Sequence, residues 1–139
     1  MKLKLALVAV ALVTAASMLI SYQRDIKFET YISELTTATN EIAAEGSRDL
    51  SSAGVARAQK VLDARKADLK KKLAELKTVP VSQVDAQTLE RFQESLRANR
   101  AKIKDVFLDN PAVMEADGKD PEFLANVVKL VEDYVSLIE

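Results

Sequence analysis

The chain has 139 residues, 20 Lys and Arg against 21 Asp and Glu, and no Cys, His or Trp. That length holds one domain, or one domain and a leader. Without Cys there is no disulfide framework, thiol nucleophile, thiolate metal site or lipid-modified cysteine; without His, the commonest general base and transition-metal ligand are missing.

Lys2 and Lys4 precede Leu5 to Tyr22, a run of 18 residues without charge. A positive start followed by an apolar run is the layout of a secretory leader. The basic end is expected to stay in the cytoplasm while the remainder is exported. At a rise of about 1.5 Å per residue the run spans about 27 Å, close to a bilayer core of about 30 Å. Residues 1–22 are therefore predicted to be an uncleaved signal anchor. The alternative is a signal peptide cut after Ser17, with Ala15 and Ser17 as its small residues. An exported chain without cysteine fits a bacterial periplasm. The expected location is the bacterial inner membrane with the domain in the periplasm, or a soluble periplasmic protein after cleavage.

Residues 23–139 carry helical periodicity and no strand-like alternation. A first helix is predicted over about 24–45, with Phe28, Ile32, Leu35, Ala38 or Thr39, and Ile42 on its inner face and Gly46 as its stop. A second spans about 49–78, capped by Asp49, Ser51 or Ser52 and ended before Pro80. Val55, Leu62, Leu69 and Leu76 are spaced by seven on it, with Ala58, Val61 and Leu73 alongside. A third spans about 83–109, opened by Ser82 and Asp85 in a capping-box spacing. Its stripe is Leu89, Phe92, Leu96, Asn99, Ile103, Val106 and Phe107. After Asn110-Pro111 and one short turn, a fourth spans about 121–138, with Asp120 as cap and Pro121 at the first position.

These spans imply an all-α fold: an antiparallel (up-down) four-helix bundle preceded by an N-terminal apolar signal-anchor helix. The short Val79–Ser82 link pairs the second and third helices as a hairpin, with the other two lying along it.

Charge is unevenly distributed. Arg57–Lys77 has eight basic and three acidic residues, +5, and Val81–Lys104 has five and three, +2. Gln23–Asp49 has three basic and six acidic, −3, and Asp105–Glu139 has two and nine, −7. Either the basic helices pack against the acidic ones, or a basic face built from Arg65, Lys66, Lys70, Lys71 and Lys72 is left for an anionic lipid or cell-wall polymer. Three consecutive lysines span about 200° of helix, so they cannot all join one internal seam. Nucleic acid is not an expected partner, because no aromatics interleave the lysines and the location is wrong for it.

Two residues break the apolar pattern, Arg65 and Asn99. Each reads as a register-setting or snorkelling polar residue; together, facing one cavity, they would hold a small anion. The fourth helix carries only a narrow polar stripe. A helix outside a bundle needs one apolar stripe. Its excess, including Val128, Val131, Val135 and Ile138, is either buried within the bundle or offered to a protein partner or second copy.

No constellation carries catalysis. There is no G-x-S-x-G or S-x-x-K, and the carboxylate pairs Glu41/Glu45 and Asp105/Asp109 lack the histidines of a two-metal bundle site. Asp117-Gly118-Lys119-Asp120 departs from a calcium loop at Val113 and Lys119. No metal, cofactor or enzyme activity is expected.

An N-terminal anchor running into the first helix of an up-down bundle resembles the extracytoplasmic sensor module of bacterial chemoreceptors. The resemblance is one of layout without signature residues, and implies no ligand-binding residue here. Such receptors return through the membrane, whereas this sequence stops at Glu139, so inward signalling by that route is not expected. The expected function is a non-catalytic interaction or accessory subunit of the envelope. The alternatives are a small-ligand sensing module at Arg65 and Asn99, and a structural protein holding anionic lipid or wall polymer through the basic helix.

Overall fold

A computed structural model of the chain describes residues 24–115 and 119–139 with their side chains, and residues 2–23 and 116 as helical backbone. The elements are α1 (Lys2–Arg48), α2 (Ser52–Lys77), a turn of 3-10 helix at Val81–Gln83, α3 (Ala86–Phe107), α4 (Pro111–Ala116) and α5 (Pro121–Val135). No strand occurs among the described residues. The expected anchor, residues 5–22, lies outside the residues described with side chains, as do Asp117 and Gly118 of the calcium-like loop. Among the described residues no helix is long and apolar enough to cross a membrane.

The helix ends follow from local hydrogen bonding. Ser51 caps α2, its hydroxyl accepting from the Gly54 N–H at 3.3 Å. Asp120 caps α5, accepting from the Phe123 N–H at 3.0 Å, with Pro121 at the start where a missing N–H costs nothing. Two expected signals act differently. Ser82 lies in the 3-10 turn, where Gln83 and Val84 donate to Pro80 and Val81; α3 therefore starts at Ala86, and Asp85 makes no side-chain capping bond. Gly46 does not stop α1, which continues to Arg48. It is instead where α1 meets α3: a Cβ there would stand 2.5 Å from Phe107 Cζ and 2.8 Å from Val106 Cγ1.

The inner faces form one core. α1 contributes Phe28, Tyr31, Leu35, Ala38 and Ile42; Tyr31 takes the place expected of Ile32, which is half-buried. Val55, Ala58, Leu62, Leu69, Leu73 and Leu76 line α2, Ile103 and Phe107 line α3, and Phe123, Val127, Leu130 and Tyr134 line α5. Phe28 meets Phe92 edge-on, with ring centroids 5.1 Å apart at 86°.

Cross-helix partners give the directions. From α1 to α3, Arg91 pairs with Glu29, Asn99 with Thr36 and Lys102 with Asn40, at sequence separations of 62, 63 and 62. A constant separation means that α1 and α3 run parallel. From α1 to α2, Glu45 meets Arg57, Glu41 meets Arg65 and Glu34 meets Lys72. The numbers fall on one helix as they rise on the other, so these two are antiparallel. α5 also opposes α1, with Tyr134 against Thr39 and Leu137 against Tyr31.

α1 packs against α2 and α3, and α5 packs against the same two. α2 and α3 make no extended contact with each other. The expected side-by-side hairpin of the second and third helices is therefore not formed; they sit on a diagonal. The link between them, residues 78–85, is long enough to cross the end of the helices. Electrostatics favours the same order. Both diagonal helices are basic, and the acidic α1 and α5 stand between them.

Two buried tyrosines fasten α5 to α1. Thr39 Oγ1 donates its one proton to the Leu35 carbonyl at 2.7 Å, so the 2.6 Å contact with Tyr134 is donated by the tyrosine. Tyr31 Oη donates to the Leu137 carbonyl at 2.6 Å, satisfying a group that the end of a helix leaves without a partner.

Candidate functional site

The basic residues of α2 divide into two groups. Arg65 forms a two-pronged contact with Glu41, at 2.9 and 3.0 Å. Lys66 lies 3.4 Å from Asp133 on α5. Lys72 bridges Glu34 on α1 and Asp68 on its own helix. Its bonds to those two carboxylates, Glu34 first, hold the ammonium above its ordinary range, and the ammonium in turn holds Asp68 below the usual carboxylate range. These three are spent on seams within the molecule. Lys70 and Lys71 are exposed and make no ion pair among the described residues. An outward anionic-partner face thus reduces to two of the four lysines expected for it.

Arg65 and Asn99 are not brought together. Asn99 is 5 % exposed and donates through Nδ2 to Thr36 Oγ1 at 3.0 Å and Ser95 Oγ at 3.2 Å. Thr36 and Glu41, their partners on α1, are five residues apart, about 140° around the helix. Each polar residue therefore sets a different seam: α1 with α3 for Asn99, α1 with α2 for Arg65. Of the carboxylates singled out by spacing, Glu41, Glu45 and Asp109 have basic neighbours. Glu45 accepts from Arg48 and Arg57, and Asp109 lies 3.8 Å from Lys104. Among the described residues no group of three or more acidic residues is placed to hold a metal ion.

α5 carries two apolar stripes. The first, Phe123, Val127, Leu130 and Tyr134, is buried. The second is Leu124, Val128, Val131 and Val135, spaced by four, three and four along the helix. Val128 is 42 % exposed, and the other three are half-buried. Ile138, expected on this outer face, is 7 % exposed and belongs to the core. After Val135 the chain tightens, with Leu137 and Ile138 donating to Tyr134 and Val135, three residues back. Ile138 follows buried Tyr134 by four residues, about 40° around a regular helix, which places it at the edge of the buried stripe.

The sequence reading missed a fourth feature. Where α2 ends and α3 begins, an apolar groove of about 340 Å³ opens between the link, α3 and the first fully described turns of α1. Phe28, Leu73, Val79, Val84, Leu89 and Phe92 are on its walls, and Val81 stands at its rim, 65 % exposed. Among the described residues Lys77 is the one charged residue lining it, and its ammonium donates to the Glu139 carbonyl. The signal available in the sequence was the apolar character of the link, Val79, Val81 and Val84 around Pro80, where a connector would ordinarily be polar. A smaller hollow beside the groove shares Leu76 with it and has the 41 %-exposed Ile26 on its wall.

Comparisons of the chain with protein-family models, with curated proteins and with solved structures return no match.

Proposed function

We propose that this chain is a membrane-anchored, non-catalytic accessory subunit of the bacterial envelope, a helical bundle on the periplasmic side that binds a protein partner through the second stripe of α5. The half-exposed Val128, framed by Leu124, Val131 and Val135, is the observation that carries this reading. A helix needs one apolar stripe to join its own bundle; Leu124 and Val131 also pack against that core, and Val128 is the residue of the second stripe left exposed. The uncharged run at residues 5–22, with Lys2 and Lys4 before it, supports the anchor.

The test is fractionation of cells producing the full chain, followed by cross-linking and native mass measurement in mild detergent. The expected result is recovery in the inner-membrane fraction at the full 15.3 kDa, within a larger assembly. Val128→Glu is expected to leave the circular dichroism spectrum and melting temperature unchanged and to dissolve that assembly. A full-length species free in the cytosol would overturn the anchor, and an assembly indifferent to Val128→Glu would overturn the stripe.

A further inference from the structure

We propose that the groove end of the domain is seated on the bilayer, with Val81 immersed in the interfacial layer and the groove open to phospholipid acyl chains. This rests on the anchored reading and names a second surface for it, distinct from the α5 stripe.

The argument is positional. Leu76 on α2 lies level with Ile26, Lys27 and Thr30 on α1, because all four line one hollow. α2 runs opposite to α1, so the residues that follow, Val79 to Val84, lie beyond that level, toward residue 22. From the other side, Phe92 on α3 meets Phe28 edge-on, and α3 runs parallel to α1, so Leu89 is also displaced toward residue 22. Link, groove and rim therefore converge on the point where the uncharged run ends at Tyr22. Phe28 is six residues from Tyr22, about 9 Å along the helix. An interfacial element buries its apolar face about 5–10 Å into the boundary of headgroups and acyl chains. A domain tethered at that distance holds its apolar rim within the layer.

The occupant follows from the chemistry of the lining. The described walls are aliphatic and aromatic, and the link that bounds the groove lies at the end from which the apolar run departs. An acyl chain matches both features. The far end differs. Met114 is the most exposed large apolar residue described, at 70 %, but it follows Phe107, which meets α1 at Gly46. Gly46 lies eighteen residues beyond Phe28, about 27 Å further along α1.

The chain has no tryptophan, so one can be placed at will. Full-length Val81→Trp and Met114→Trp would each be reconstituted into vesicles of phosphatidylethanolamine and phosphatidylglycerol, with or without bromine on the acyl chains. Flotation of the vesicles reads anchoring, and tryptophan emission reads the seat. Both variants are expected to float. Val81→Trp is expected to be blue-shifted and to lose about half its emission to brominated chains, consistent with interfacial depth, while Met114→Trp stays unquenched. Flotation with both tryptophans unquenched would overturn the seat and leave the anchor standing. A blue-shifted but unquenched Val81→Trp would assign the groove to a protein segment or a second copy, and would also overturn it. Failure to float would overturn the anchored reading itself, and the seat with it.

Discussion

Tyr134 shows how one hydroxyl fixes a helix. Its ring is in the core, and its proton goes to Thr39, whose own proton goes to Leu35. Burial outweighs the nearby charge of Arg100 and pushes the phenol up from its ordinary 10.0 to about 12. Burial also raises Tyr31, with Tyr134 beside it contributing in the same direction. The folded state therefore favours the neutral phenol. Below pH 10 that preference contributes nothing that varies with pH; as pH climbs from about 10 to about 12 the unfolded chain ionises first and stability falls. For Tyr134 the loss approaches about 2–3 kcal/mol, at about 1.4 kcal/mol per unit. Tyr134→Phe is expected to be about 1 kcal/mol less stable at pH 8, with Thr39 deprived of a donor. That gap should close as pH rises past 10. Urea melts of both proteins at pH 8, 10 and 11 check it; a gap that stays constant means that the phenol is not held neutral by the fold. Tyr31 also marks what was hidden at this scale. The periodic reading placed Ile32 inside, and one residue's rotation puts an aromatic with a polar tip there, because that tip meets the Leu137 carbonyl.

Between elements, glycine sets distance. At Gly46 the missing Cβ lets α1 approach the buried ring of Phe107, and at Gly54 it lets the first turn of α2 pass the carbonyl of Asp49. The obstacles differ in kind. An added Cβ at Gly54 would meet Asp49 O at 1.6 Å, which is backbone, whereas the nearest atom at Gly46 is the tip of a side chain at 2.5 Å. Alanine gains about 1 kcal/mol of helix propensity at either place, against an overpacking cost of about 1–3 kcal/mol for a side chain that must shift and more for backbone that must. Gly46→Ala is thus expected to lose about 1–2 kcal/mol and Gly54→Ala about 3 kcal/mol or more, measured by chemical denaturation. The reverse ranking would place the tight contact elsewhere. Helix positions were legible because caps and apolar periods are local: Asp120-Pro121 opens α5, and Ser51 opens α2. Gly46 and Ser82 were misread as a stop and a cap because their behaviour is decided by a neighbouring helix and by the 3-10 turn. Ile138 was misread because it was grouped with Val135, three residues before it, although it also follows Tyr134 by four and so borders the buried stripe.

At the scale of the molecule, the order of helices around the core was not legible from link lengths, which permit either a hairpin or a diagonal crossing. The segmental charges carried the information, since like-charged α2 and α3 are the pair kept apart. Among candidate surfaces, the α5 stripe could be read from one helix, while the groove is assembled from the link and helices far apart in sequence. Every helix needs α5. It supplies Phe123, Val127, Leu130 and Tyr134 to the core and lies against both α2 and α3. A chain ending at residue 120 is accordingly expected to lose cooperative thermal unfolding, followed by circular dichroism, since removing four or more large buried side chains costs about 2–5 kcal/mol each against a total of about 5–15 kcal/mol. A sharp transition in that shortened chain would mean that the other helices close a core without it.

The bond from Tyr31 to Leu137 joins residues 106 positions apart. Such a clasp can form only after residue 137 has been synthesised, so Tyr31 waits on a partner that leaves the ribosome long after it. The order of synthesis thus sets the order of assembly: the inner face of α1 is made first and is closed from the C-terminal side only after α5 has followed it.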